Sequence, residues 1–387
     1  MSADPSHGPL EGVRVVDLSN TLMVPYTTLL MAQMGADVIK VEPPEGDIIR
    51  KVGDVDGTGL GPVFINANYG KKSVVIDLKQ PAGRESLLAL IRDADVFVHN
   101  RPPKAARKLG IDYPVLSSSN PRLIYCAACG YGSNGPYRDF PAYDDVIQAA
   151  CGLAHLQTNE GEPQYVRSAI ADKTTALFVL AGILAALYER ERSGTGQAIE
   201  VPMFESMVSF LMLEHQGGAV FDPPRGPTGY VRMSSLHRHP YRTADGLIAV
   251  MIYTDSQWKK FFALVGQPEL ADDCRFATMT RRTEHTDELY SFVEAALRTA
   301  TTDEWIAVLH GQRIPAMRVN SIDDIFQDEH VRATGIFEQH HDPVLGTTRL
   351  SRSPITFSRS ARQLLGRAPA LGEHNWIVSG SPEPVGR

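Results

Sequence analysis

Short apolar runs rich in β-branched residues recur along the first 130 positions, separated by stretches with helical spacing. Val13–Leu18 (VRVVDL), Val38–Val41, Ser73–Leu78 (SVVIDL), Asp95–Asn100 (DVFVHN) and Leu123–Ala128 read as strands. Thr27–Met34, closed by Gly35, reads as a helix, as does Pro81–Asp93 with Leu87, Leu88, Leu90 and Ile91 at helical spacing. Strand–helix alternation predicts an α/β fold with a parallel sheet covered by helices, and near-continuous apolar strands fit burial on both faces. Ala171–Arg192 carries the strongest helical pattern, its apolar face running through Leu177, Leu180, Ile183, Leu184 and Leu187 to the charged end YERER and a stop at Gly194. Val220–Pro240 is rich in Pro, Gly and Arg without a period and reads as a linker. Beyond it lie a strand at Leu247–Ile252 and helices at Ser256–Val265, Asp287–Leu297 and Asp303–His310. From Phe337 the pattern is irregular, with strand-like patches at Thr348–Leu350 and Ile355–Phe357.

A chain of 387 residues has room for two or three domains, and 43% hydrophobic with 21% charged residues is ordinary for a globular protein. With 38 basic against 45 acidic side chains the net charge is −7, which argues against a nucleic-acid binder. The longest apolar run, Ala176–Leu187, falls short of the about 20 residues a membrane helix needs. The opening MSADPSHGPLEG lacks the basic and apolar stretches of a secretory signal, so a cytoplasmic protein without a membrane span is expected. Four cysteines make no disulfide scaffold. Cys126 and Cys129 have the spacing of half a zinc site, but Cys151 and Cys274 stand alone, and RLIYCAAC also reads as a buried strand. No metal is expected.

Gly130, Gly132 and Gly135 spell GxGxxG after a strand, yet Pro136 and Pro141 follow where a phosphate-binding helix should start, so a turn-rich loop is the better reading. His237 and His239 form HxH with no carboxylate near in sequence and read as loop contacts. Lys71, Lys72, Lys79, Arg101, Lys104, Arg107 and Lys108 flank strands three and four. Ligands of open parallel sheets bind off the carboxyl ends of strands, so this charge suits a small polyanion, or else a solvated face. Asp172 immediately precedes the long helix, where it reads either as an N-cap or as an ionised, exposed nucleophile.

Several segments, in order, resemble the class III (formyl-CoA transferase-like) coenzyme A transferases: LEGVRVVDLSN…MAQMGADVIKVEPPEGD, KKSVVIDLKQPAGRE, VHNRPPKAARKLGIDY, NPRLIYCAACGYGSNGPYRDFPAYDDVIQAACGL, ADKTTALFVLAGILAALYERERSGTGQAIEVPMFE, TADGLIAV, IPAMRVNSIDDIF and ALGEH. The resemblance spans about residues 10 to 375. It implies a large Rossmann-like domain (1–220), a linker (221–240), a smaller α+β domain (241–335) and a C-terminal segment (336–387) returning to the large domain, in a homodimer of interlocked rings. It implies that CoA moves between an acyl-CoA and a free carboxylic acid through an aspartyl-CoA intermediate on Asp172, with no permanently bound cofactor. The family's CoA contacts match Leu22, Met23, Ile76, Asp77, Leu78, Lys79, Asn100, Arg101, Pro102, Lys108, Ala142 and Tyr143. Backbone amides near Gly130–Gly135 are oxyanion candidates.

Departures bear on specificity. Leu22 stands where formyl-CoA transferases carry a glutamine that holds acyl intermediates, which argues against formate or oxalate chemistry. The glycine-rich loop of those enzymes is absent between Pro223 and Arg242. The α-methylacyl-CoA racemases, a sister branch, use a histidine in a GHD motif where this chain has Ala142, Tyr143 and Asp144. Tyrosine, with a pKa near ~10, is a poor proton shuttle. A racemase or epimerase, and a non-catalytic CoA-binding protein, remain the alternatives.

Overall fold

The structure, a computed structural model, describes residues 7–158, 161–361, 363 and 365–382. The chain divides into one unit formed by Met1–Leu211 with Thr334–Arg387, and a second formed by Met212–Ala333.

The larger unit is built on β1 (Arg14–Leu18), β2 (Asp37–Glu42), β3 (Lys72–Val75), β4 (Val96–His99), β5 (Ile124–Cys129) and β6 (Ala198–Pro202). All pair in parallel, in the order β3-β2-β1-β4-β5-β6. The order reverses between β1 and β4, and a crevice opens at such a point beyond the strand ends. Adjacent residues alternate between two cores, as a twofold strand repeat requires: Val15, Val38, Val98 and Cys126 face one, Val16, Ile39, Phe97 and Tyr125 the other. The helices are α1 (Met23–Gln33), α2 (Pro62–Asn68), α3 (Pro81–Arg92), α4 (Pro103–Leu109), α5 (Tyr113–Ser119), α6 (Asp144–Ala150), α7 (Leu153–Leu156), α8 (Ile170–Ser193) and α9 (Met203–His215).

Four readings change. The third strand stops at Val75, so Ile76–Lys79 form the turn into α3. β6 had no separate signal, because AIEVP is a half-exposed edge strand. After Phe337 the chain forms an antiparallel hairpin, β10 (Phe337–Asp342) and β11 (Gly346–Ser351), whereas Ile355–Phe357 is not a strand. Helix α8 is, by length and composition, apolar enough to cross a membrane, contrary to the reading of its apolar run. Here Ala171, Val179, Ile183 and Ala186 are buried in the core, and its Ala176 carbonyl accepts from Thr27 Oγ1 of α1 at 2.9 Å.

The C-terminal segment is stitched to β3. Ser73 donates its N–H to His374 Nδ1 and accepts from the His374 N–H at its carbonyl, while Val75 N–H reaches Asn375 Oδ1 at 2.8 Å.

The second unit is α+β. A small antiparallel sheet of β7 (Tyr241–Arg242), β8 (Leu247–Val250) and β9 (Ala316–Arg318) accompanies the one-turn α10 (Val231–Ser234), then α11 (Asp255–Leu264), α12 (Met279–Glu284), α13 (Thr286–Leu297) and α14 (Thr302–Gly311). Trp258, Phe261, Phe262 and Leu297 anchor its core.

Candidate active site

The residues expected around CoA fall at the carboxyl ends of the strands. Leu22 and Met23 open α1 after β1; Asn100, Arg101 and Pro102 follow β4; Ala142 and Tyr143 precede α6; Asp172 lies in the first turn of α8. The β1 and β4 turns are joined side by side: Asn100 Nδ2 donates to the Asn20 carbonyl at 2.9 Å, and Asn20 N–H to Asn100 Oδ1. Ile76, Asp77, Leu78 and Lys79 lie after β3, with β2 and β1 between β3 and β4. Strand spacing of about 4.8 Å separates those two strands by roughly 14 Å, so Lys79 and Arg101 form two separate positions of charge.

The turn before Leu22 is strained. Thr21 has φ +64°, an unusual conformation for a β-branched residue. Its N–H donates to Asp47 Oδ1 at 3.1 Å and its hydroxyl to the Asn20 carbonyl at 2.7 Å. Asp47 belongs to a buried ionic network. Lys40 Nζ lies 2.9 Å from Asp47 Oδ2, a close buried ion pair, and donates to the Ser19 carbonyl at 3.0 Å. Lys71 Nζ reaches Asp17 Oδ2, the Pro25 carbonyl, Thr28 Oγ1 and Asn68 Oδ1. Burial, against the pull of Asp17, brings the Lys71 ammonium down to about 7. Asp17 also accepts from Ser19 N–H and from the hydroxyls of Ser19 and Thr28.

Arg101 is half-buried, and its Nε has no hydrogen-bond partner among the described residues. A buried donor left open suits an anionic ligand. It rests on an ordered base: Arg101 N–H donates to His99 Nδ1 at 3.1 Å, and His99 Nε2 lies 2.7 Å from Tyr125 Oη. Burial and the Arg101 charge push His99 down to about 4, so the imidazole is neutral at physiological pH. With Nδ1 accepting, Nε2 carries the proton. Lys104 and Lys108 lie one turn apart on α4, both exposed.

Asp172 differs from both sequence readings. The N-cap of α8 is Ala169, with no side-chain cap, and Asp172 is the third helical residue. It is half-buried rather than exposed. Its carboxyl is pushed up to about 7 by burial and by the Asp144 charge, with Lys173 opposing. Asp144, which the sequence reading used only as a departure from GHD, positions this turn. Its Oδ2 accepts the Asp172 N–H at 2.9 Å, and its Oδ1 accepts from Gln148 Nε2. Gln148 in turn accepts from Val166 N–H at 2.9 Å. The two side chains hold the start of α8 against α6 and leave the Asp172 carboxylate uncommitted. The tandem acids of PAYDD were the available signal.

The glycine loop is a turn with no helix until Asp144, as expected. Gly130 is required by contact, since a Cβ there would lie 2.4 Å from that of Ala142. Two oxyanion candidates in the loop are already engaged: Gly132 N–H donates to Glu205 Oε1 at 3.0 Å and Ser133 N–H to Glu200 Oε1 at 2.9 Å. Cys126 and Cys129 are buried in β5, and burial pushes both thiols up to about 12. His237 and His239 do meet a carboxylate in space. Glu294 Oε2 lies 3.7 Å from His237 Nδ1 and 3.8 Å from His239 Nε2, brought there by α13. A cavity of about 310 Å³ beside Gln33, Tyr69 and Arg352 contains none of the expected CoA contacts.

The sequence model of CoA-transferase family III matches residues 10–375. The chain is 33% identical to a succinate–glutarate CoA-transferase of Agrobacterium fabrum, over 98% of this chain and 97% of that one. It is 30% identical to the succinyl-CoA:glutarate CoA-transferase of Mus musculus, over 95% and 84% respectively. Its fold matches the crystal structure of a CaiB/BaiF family protein from Brucella suis with a TM-score of 0.81 at 32% identity, over 97% of this chain and 99% of that one. The chain belongs to the family III CoA-transferases.

Proposed function

We propose that this CoA-transferase works through Asp172 as a covalent nucleophile. The observation that carries the reading is a carboxylate in the first turn of α8, free of any cap, whose backbone is fixed by Asp144. A carboxylate oxygen of Asp172 attacks the acyl-CoA carbonyl and expels CoA thiolate, leaving a mixed anhydride. The thiolate attacks the aspartyl carbonyl and expels the donor acid, leaving an aspartyl-CoA thioester. The acceptor carboxylate attacks that thioester, and the returning thiolate takes the new acyl group and frees Asp172. One difficult exchange becomes several easier ones. The relatives' names point to dicarboxylic acids as substrates here as well. Incubation with acyl-CoA and a hydroxylamine or borohydride trap is expected to mark Asp172. Exchange of the α-proton with solvent deuterium, without an acceptor acid, would instead support a racemase.

The CoA contacts are proposed at Leu22, Met23, Ile76, Asp77, Leu78, Lys79, Asn100, Arg101, Pro102, Lys108, Ala142 and Tyr143, with Arg101 the principal phosphate ligand. Arg101→Ala is expected to weaken CoA binding by about 1–3 kcal/mol, because its open Nε and fixed base suit a charge-assisted bond. Lys108→Ala is expected to cost less, since exposed ion pairs contribute little. Calorimetric titration with CoA checks both; unchanged affinity in both variants would move the site.

A homodimer of interlocked rings is the assembly we propose. Leu177, Phe178 and Tyr188 on α8 and Phe210 and Leu213 on α9 are exposed, an apolar surface that a second chain would cover. Such rings separate only by unfolding, so sedimentation is expected to show a dimer at every dilution at which the protein stays folded. A folded, active monomer in dilute solution would reject the architecture.

A further inference from the structure

The second unit contains a cavity of about 240 Å³ between the 231–240 segment, β8 and α13. Two guanidinium groups, Arg232 and Arg238, line it. Arg232 is half-buried, and its contacts are neutral acceptors: Tyr230 Oη at 3.4 Å, the thioether sulfurs of Met251 and Met233 at 3.5 and 3.8 Å, and the phenol of Tyr290. The Arg238 side chain makes no hydrogen bond or ion pair among the described residues. Glu294, the carboxylate that faces this segment, is engaged elsewhere: Oε1 accepts from Arg298 at 2.8 Å and Oε2 faces His237 and His239. The half-buried Arg232 and the exposed Arg238 thus share a cavity that, among the described residues, no carboxylate lines, and Val250 and Val293 provide an apolar wall.

Partly desolvated guanidinium charge is costly without an anion, and its planar fork matches a carboxylate in two parallel bonds. We propose that this cavity binds a short-chain dicarboxylic acid, with Arg232 and Arg238 holding the carboxylates and the methylenes lying on Val250 and Val293. The acid's role as acceptor rests on the CoA-transfer mechanism above; its binding does not.

Calorimetric titration of the full-length protein with glutarate and with butyrate tests the site. Glutarate is expected to bind at least tenfold more tightly than butyrate. Arg232→Ala should weaken glutarate by tenfold or more, Arg232→Lys should recover part of the loss, and Asp172→Asn should leave it unchanged. Glutarate that binds no better than butyrate, or equally well to wild type and Arg232→Ala, overturns the proposal. Kinetics then separates an acceptor from a free effector. For an acceptor, Arg232→Ala raises the KM for glutarate while adduct formation from a monocarboxylic acyl-CoA keeps its rate. For an effector, glutarate changes that rate in wild type and not in Arg232→Ala. A protein with Arg232-dependent glutarate binding and no Asp172 adduct keeps the site and rejects the mechanism, and the converse keeps the mechanism and rejects the site.

Discussion

An Asp172→Asn protein is expected to fold, bind CoA with wild-type affinity and lose almost all CoA transfer. The neutral amide cannot attack a thioester, so neither half of the exchange can begin. Asp172 caps nothing, so the structure removes the cap penalty that the sequence would have attached to Asp172→Ala. Stability should move the other way. The carboxyl titrates near 3.8 when unfolded and about 7 when folded, so the folded state binds the proton more tightly. Stability from this group is therefore lost as pH rises from about 4 to about 7. Asp172→Asn relieves that cost and is expected to be more stable than wild type at pH 8, on the order of 2 kcal/mol, with the difference vanishing toward pH 4. The same titration shapes the chemistry. Adduct formation in wild type should rise about tenfold per pH unit up to near 7 and then level off. Quenched-flow sampling with intact-protein mass spectrometry follows the adduct, and denaturant titration at the two pH values follows the stability. Wild-type transfer by Asp172→Asn, after exclusion of deamidation, would end the assignment.

The sheet was legible because its strands are apolar on both faces, and periodicity reports burial directly: Val15 and Val16 point into opposite cores and both are fully buried. Edge elements escaped for the same reason. AIEVP and β10 are half-exposed and mixed in polarity, so no run marks them, and of β11 only the patch Thr348–Leu350 showed. At the site, the positions matching family motifs could be named, but the groups that hold them could not. Asp144 meets the Asp172 backbone across 28 residues, and Glu294 meets His237 across 57, separations that local pattern does not encode. Lys40 and Lys71 sit in or beside apolar strands, where lysine reads as a solvated interruption. They are instead fully buried, because Asp17 and Asp47 are buried with them.

That network gives the largest expected effect on stability. Asp17→Ala is expected to destabilise the larger unit by about 3–5 kcal/mol, since it takes from the buried Lys71 amine the carboxylate that helps hold its proton and removes an attraction on the buried Lys40. It also deletes the acceptor for Ser19 and Thr28, two residues that frame the strained turn before Leu22. Asp17→Asn keeps an acceptor for one of those hydroxyls and loses the charge, so its loss should be smaller than that of Asp17→Ala. Lys71→Met alone leaves Asp17 with Lys40 and its hydroxyl donors and should cost less than Asp17→Ala. Adding Lys71→Met to Asp17→Ala should then recover part of the stability, because no buried amine is left without its carboxylate partner. Denaturant midpoints for the four proteins read the cycle, and CoA affinity reads the turn: Asp17→Ala should weaken CoA even under conditions where the protein stays folded, because Thr21 at φ +64° persists only while its surroundings impose it. A cycle in which the two substitutions add, or an Asp17→Ala protein within about 1 kcal/mol of wild type, would show that the buried charges are not coupled and that the turn is held by packing alone.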